Sequence, residues 1–209
     1  MRGPEAGAVD RDAVRGVYAG YREAKDVAPD SRTETYVALK LSVDSWRWAG
    51  VPFYLRTGKA MGCRDTEVVV QFKPVPFAQF RGTDVSRLPD NRLVIHVQPD
   101  EGVSIDFAAK RPGPKVDTAP VSMEFRYADE FDVSHATGNE TLLYDMLTGD
   151  QTLFQRADGV EAAWQAVQAT HDAWGAGGEP EVYEVGSDGP AGAAALIERD
   201  GRRWHGLDR

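Results

Sequence analysis

The sequence predicts an α+β domain, a large and mainly antiparallel sheet with helices packed on one face. Three observations point there. Strand-like segments, apolar or alternating, recur at short intervals through residues 35–127. The links between them leave no room for crossover helices, and parallel neighbours need a connection of roughly a dozen residues or more. Beyond residue 138 the hydrophobic period changes from two to the helical value of about 3.6. Strands first and helices afterwards is the order of a layered α+β fold.

Residues 1–13 mix Gly, Pro, Ala and charges without periodicity and read as a disordered leader, which leaves 14–209 as a single domain. The first strand is expected over 35–43, where a nearly continuous apolar run at Tyr36-Val37-Ala38-Leu39 passes into alternation. Aromatic and branched residues mark the next at 51–55, and others follow at 67–72, 92–98, 102–108 and 121–127. Turn signals separate them: Lys73-Pro74, Leu88-Pro89-Asp90 and Arg111-Pro112-Gly113-Pro114. A helix is expected over 139–147, with Leu142, Leu143, Met146 and Leu147 at helical spacing and Gly149 ending it. A second spans 159–174, with Val160, Ala163, Trp164 and Val167 on one face, and a third spans 190–198 with Pro190 in its first position. A sheet this wide needs cover on its other face, and alternation at Val94, His96 and Gln98 would present a regular surface for self-association.

A formal net charge of −9 over 209 residues argues against a nucleic-acid surface, because a phosphate backbone would be repelled from most directions. A single cysteine, Cys63, excludes an internal disulfide and a cysteine-rich zinc site and fits a reducing cytoplasm. No run reaches membrane-spanning length, and the charged first residues are unlike a signal peptide. The expectation is a cytoplasmic protein with no membrane and no nucleic-acid partner. The four histidines, His96, His135, His171 and His205, lack a second ligand at metal spacing, and no zinc, nucleophile-elbow or P-loop motif occurs.

One segment suits an anion. A strand-like run from Val51 to Leu55 leads to Arg56, Gly58 and Lys59, with Arg64 five positions later. Glycine lets a backbone approach a ligand. Lysine supplies a point charge and arginine a planar fork, the two chemistries that hold phosphate oxygens. A solvated basic strand end would look the same in spacing alone.

Residues 48–59, W-A-G-V-P-F-Y-L-R-T-G-K, resemble the W-x-G-V-P-F-x-L-R-x-G-K signature of the C-terminal domain of glucose-6-phosphate dehydrogenase. Residues 29–39, the L-V-I-H-V-Q-P-D-E run at 93–101, the Y-E-V-G-S-D-G-P piece at 183–190 and D-G-R-R-W at 200–204 resemble further pieces of the same family in the same order. The resemblance implies that Lys59 and Arg64 bind the phosphate of glucose 6-phosphate and that Gln98 is a further substrate contact. For Gln98 a half-buried strand glutamine paired to backbone is the alternative. It also implies a homodimer, or pairing with dehydrogenase subunits, built largely through the sheet.

Arg56 matches a position that contacts a second, structural dinucleotide in some relatives. The other positions around that nucleotide carry Asp65, Val69, His96, Asp106 and Asp188, and three anions and a valine cannot hold a diphosphate, so no tightly bound structural nucleotide is expected. The segment 182–192 runs from a strand into glycines and a helix, but its G-x-x-G-x-x-G spacing is not the dinucleotide fingerprint, and it reads as an ordinary helix start.

Hydride transfer needs a cofactor cradle and a general base. The family resemblance places both, with the catalytic histidine, in a preceding region whose motifs are not found in this sequence. The expectation is therefore no catalytic residue and no cofactor-binding residue here, with NADP serving the complete enzyme and none bound to this chain alone. Two readings follow. The chain is the substrate-binding and dimerisation portion of the dehydrogenase, inactive by itself, or a catalytically silent module that pairs with full-length subunits.

Overall fold

The computed structural model describes residues 1–77, 88, 90–114, 117–131 and 138–206. In chain order the elements are α1 (Val9–Asp12), β1 (Ala13–Tyr18), β2 (Tyr36–Leu41), β3 (Phe53–Gly58), β4 (Thr66–Gln71), β5 (Arg92–Gln98), β6 (Gly102–Lys110), β7 (Thr118–Arg126), α2 (Tyr127–Glu130), α3 (Gly138–Thr148), α4 (Ala157–Gly175), β8 (Glu181–Tyr183) and α5 (Ala191–Glu198). Short 3₁₀ turns lie at Ala6–Ala8, Tyr21–Glu23 and Trp46–Trp48. The chain forms two compact units, one made of residues 1–63 and 145–209, the other of 64–144.

In the first unit the strands stand in the order β3-β2-β1-β8. β1/β2 and β2/β3 are antiparallel and β1/β8 is parallel. Alternation along β2 sends Leu39 and Leu41 to one side and Tyr36 and Ala38 to the other. Leu39 and Leu41 bury with Val9 and Ala13 against Val167 and Trp174 of α4. Tyr36 and Ala38 bury with Tyr183 and with Ala193 of α5, and Trp204 packs against them. Arg15, on β1, ties the sheet to the end of α4. Its guanidinium donates to the carbonyls of Trp174, Gly177 and Gly178 at 3.3, 2.6 and 2.8 Å and lies 5.5 Å from the Trp174 ring. Carbonyls at a helix C-terminus lack intrahelical partners, and a cation there meets the negative end of the helix dipole.

The second unit is an antiparallel meander in the order β4-β5-β6-β7. Its register sets Val68 opposite Ile95, Ile95 opposite Val103 and Val103 opposite Phe125, while Ile105 faces Met123. One face is therefore a continuous apolar surface, and Val68, Ile95, Ile105, Met123 and Phe125 are exposed on it.

The α+β class and the antiparallel pairing match the sequence prediction, and β5 spans the predicted residues 92–98. Five expectations change. Among the described residues the strands form two four-stranded sheets, β3-β2-β1-β8 and β4-β5-β6-β7, where the sequence suggested one large sheet. The backbone between β3 and β4 is held by Lys59 N–H to Thr35 O at 2.8 Å and Gly62 N–H to Ser187 O at 3.1 Å. Residues 1–13 are not a disordered leader: they hold a 3₁₀ turn and α1, Arg2 bridges to Ser42, and Val9 is 2% exposed in the core. Buried Pro4 and Val9 anchor a segment rich in glycine and charge. The expected strand at 51–55 is shifted to Phe53–Gly58, where it pairs with β2 from Leu41 to Tyr36, leaving Pro52, which has no N–H, outside the ladder. Val94 is 2% exposed, so the apolar surface lies on the Ile95 side of β5 and not on the face of Val94, His96 and Gln98. Finally, Pro190 caps α5 from outside the helix. His135 and Pro89 of the Leu88-Pro89-Asp90 turn lie outside the described residues.

Gly189 has φ +107°, and a Cβ there would stand 2.4 Å from Cε2 of Tyr36. Gly186 has φ +83° with nothing within 4 Å of such a Cβ. Gly189→Ala should therefore cost about 2–4 kcal/mol, strain plus overlap, against about 1 kcal/mol for Gly186→Ala, strain alone. Urea denaturation of the two variants separates the cases, and equal midpoints would refute the steric account.

Candidate functional site

Lys59 follows the last residue of β3 and is exposed. Its backbone is held on both sides. The Lys59 N–H donates to Thr35 O at 2.8 Å, and the Tyr183 hydroxyl donates to Lys59 O at 2.7 Å. The next residue, Ala60, has φ +51°, a left-handed conformation that costs a non-glycine residue about 1 kcal/mol. Gly186 N–H donates to Ala60 O at 2.8 Å and so holds it there.

Gly58 is needed, but for a different reason from the one the sequence suggested. A Cβ there would meet Tyr36 Cδ2 at 2.6 Å and Met61 Sδ at 2.8 Å, so the glycine makes room for a buried ring and not for a ligand. Beside it lies a cleft of about 520 Å³ lined by Tyr18, Tyr21, Glu34, Thr35, Thr57 and Lys59 among others. One ammonium, one carboxylate and several hydroxyl-bearing side chains suit a small polar molecule with an anionic end. A larger cleft of about 1390 Å³ in the same unit contains none of the sequence's candidate residues. Lys40 faces Asp200 at 2.6 Å and Arg2 faces Asp44 at 2.9 Å, so part of its positive charge is already neutralised, which makes it the poorer anion site.

Arg56 is turned inward, with 11% of its side chain exposed. It donates to His205 O at 2.6 Å, stacks 5.0 Å from the Trp204 ring and stands 3.9 Å from Asp188. Its donors serve the C-terminal segment of its own unit. Asp188, expected to oppose a nucleotide, is the anion that Arg56 faces.

Arg64 and Gln98 belong to the second unit, and Lys59 to the first. Arg64 is exposed two residues before β4. Gln98 is the last residue of β5, opposite Thr66, so the two candidates lie toward the same end of the β4–β5 ladder. Gln98 is exposed and not half-buried. In the same unit the His96 ring bonds Ser104 at 3.2 Å and Val69 pairs with Val94 inside the ladder. Among the described residues no group of His, Cys, Asp and Glu is arranged to hold a metal.

The strand, glycines and helix at 181–198 do not fit a dinucleotide. The Gly192 N–H in the first turn of α5 donates to the Glu181 carboxylate at 2.9 Å, where a diphosphate would need to accept. Tyr36 closes over Gly189.

Sequence reasoning missed Thr35, Tyr18, Tyr21 and Tyr183 as parts of this site. Tyr183 lies 124 positions from Lys59. Only the placement of β8 beside β1 brings its hydroxyl within reach, and a three-residue strand is too short for periodicity to reveal.

Comparison with known proteins gives a consistent result. The family model described as glucose-6-phosphate dehydrogenase, C-terminal domain, matches residues 1–205. Glucose-6-phosphate 1-dehydrogenase of Mycolicibacterium smegmatis is 49% identical over 208 residues, covering 94% of this chain and 41% of that protein. The enzyme of Aggregatibacter actinomycetemcomitans is 46% identical over 95% of this chain and 39% of its own length. The chain thus spans about two fifths of the curated relatives it matches. The crystal structure of the Mycobacterium avium enzyme superposes with a TM-score of 0.76 at 35% identity, over 96% of this chain and 43% of that one. A glucose-6-phosphate dehydrogenase solved in complex with glucose 6-phosphate shares the fold, with a TM-score of 0.83 at 24% identity over 96% of this chain and 44% of that one.

Burial pushes the Tyr36 phenol up to about 12, with Arg56 opposing the shift. Burial and its bond to Asp200 push Tyr54 in the same direction. An unfolded tyrosine ionises near 10. Between the two values the unfolded chain releases protons that the folded chain keeps, so stability is full below about pH 10 and falls toward pH 12. Thermal midpoints measured from pH 8 to 12 should drop over that window, and the drop should be smaller in Tyr36→Phe. A flat profile would contradict the buried state of the phenol.

Proposed function

The chain belongs to the glucose-6-phosphate dehydrogenase C-terminal domain family, and from that premise we propose that it is the substrate-binding and dimerisation portion of such a dehydrogenase. The complete enzyme oxidises glucose 6-phosphate to 6-phosphogluconolactone with NADP, the first step of the pentose phosphate pathway. The observation that carries this reading is the placement of Lys59, an exposed ammonium on a backbone clamped from both sides, in a cleft lined with hydroxyl groups.

Within the reaction this chain's residues bind and orient. The Lys59 ammonium meets the substrate phosphate as a point charge. In the second unit Arg64 offers a planar fork suited to phosphate oxygens, and Gln98 amide donors and an acceptor suited to a sugar, so both are proposed as further substrate-binding residues. NADP would accept the hydride from the sugar, and in segment 181–198 the Glu181 carboxylate already takes the Gly192 N–H in the first turn of α5. No proton transfer is assigned to this chain.

A second reading rests on a separate observation, the exposed apolar face of β4–β7. In that reading the chain is catalytically silent and pairs through this sheet with a copy of itself or with full-length dehydrogenase subunits. Under the first reading the face serves a homodimer. In either case the protein would act in the cytoplasm, where the central metabolism proposed for it takes place; no helix among the described residues is long and apolar enough to cross a membrane.

The purified chain should oxidise no glucose 6-phosphate. Mixed with the dinucleotide-binding portion of a relative, it should restore NADP reduction, and Lys59→Ala should raise the KM for glucose 6-phosphate about 10- to 100-fold, the value of a lost charge-assisted bond. Turnover by the chain alone would refute the reading, and so would a restored activity indifferent to Lys59→Ala. Mixed dimers without turnover would favour the silent module.

A further inference from the structure

We propose that Tyr183 is the positioning residue for Lys59: its hydroxyl, at the end of β8, sets where the ammonium stands. The inference rests on the substrate reading above for its functional consequence, and on geometry for its structural part.

Tyr183 is 4% exposed, and its ring packs edge-on against Tyr36 with centroids 5.5 Å apart. The ring is therefore fixed before the hydroxyl is considered. A phenol has one proton to give. The short contact, 2.7 Å to Lys59 O, takes it. The 3.2 Å contact with Thr35 Oγ1 is then one in which Thr35 donates and Tyr183 accepts. Thr35 Oγ1 in turn accepts from the Tyr18 N–H at 3.0 Å. A chain of bonds thus runs from Tyr18 through Thr35 and Tyr183 to the Lys59 carbonyl, each link polarising the next in a partly buried setting.

The neighbouring contacts act together with it. Gly186 N–H holds Ala60 O, and Ser187 O accepts from Gly62 N–H. Three successive anchors from residues 183–187 therefore grip residues 59–62, including Ala60 in its costly left-handed conformation. Such a conformation persists only where the surroundings over-determine it. Tyr183 contributes the one anchor that acts on Lys59 itself from this segment. A lysine side chain has four rotatable carbons, so a backbone free to move would spread its ammonium over several ångströms and weaken any fixed ionic contact.

The test uses the full chain with Tyr183→Phe, which keeps the ring against Tyr36 and removes only the hydroxyl. Hydrogen exchange should speed up about tenfold in residues 58–62, the loss expected for one net hydrogen bond, with exchange in β4–β7 unaltered. Titration with glucose 6-phosphate should show a Kd weakened about tenfold, against about 10- to 100-fold for Lys59→Ala, with the thermal midpoint lowered by no more than roughly 5 °C. Unaltered exchange over 58–62 would overturn the proposal, and so would loosened exchange with an unaltered Kd. If the wild-type chain itself takes up no glucose 6-phosphate, the substrate reading fails, and the exchange measurement alone decides whether Tyr183 sets the position of Lys59.

Discussion

The first unit depends on the seat made for one ring. Tyr36 is 1% exposed at the start of β2, and two glycines are shaped around it: Gly58 at the end of β3 and Gly189 before α5. Neither can carry a side chain without overlapping the ring, although the two lie 131 positions apart. Burial of a tyrosine contributes about 2–3 kcal/mol of apolar transfer, and its phenol is then held neutral by the same burial. Packing Tyr183 against Tyr36 extends the arrangement to β8, and β8 carries the groups that grip the Lys59 loop. Core and candidate site are thus successive layers of one structure.

This explains which parts of the chain could be read from its sequence. Segments with a long, unambiguous period were legible: β5 at 92–98, and α4, predicted over 159–174 and observed at Ala157–Gly175. The strand with a proline near its start was displaced by two residues, because a ladder needs N–H donors and periodicity does not count them. β1 was not predicted at all, and β8 was read only as a strand leading into glycines, with no sign of its place beside β1. β1 is largely buried and reads A-V-R-G-V-Y, with an arginine whose charge is consumed by three carbonyls at the end of α4. A buried arginine looks like a surface residue until its partners are known. Val9 shows the converse, a short apolar contact that helps order a segment rich in glycine and charge.

The site was legible in the same uneven way. Lys59, Arg64 and Gln98 stand exposed, which leaves them open to the role proposed for them. Arg56 shows why a basic residue in a motif is not by itself a ligand residue: its guanidinium is spent on His205, Trp204 and Asp188. The larger cleft makes the same point, since its lysine and one of its arginines already face carboxylates. Net charge gives no warning of this, because what attracts an anion is the cation left without a fixed partner.

Two stretches that carry the family resemblance, residues 48–59 and 183–190, are far apart in sequence and adjacent in the fold. Their chemistry explains the association. The first supplies an ammonium on a loop with a left-handed alanine, which would not hold its shape alone. The second supplies a phenol, an N–H and a carbonyl that meet the backbone of that loop at residues 59, 60 and 62. Each needs the other, since the glycine in the second stretch exists to admit Tyr36, which the glycine in the first also admits. A substitution in either stretch is therefore felt in both, and the charged group at the cleft is as much a product of the C-terminal segment as of the strand that bears it.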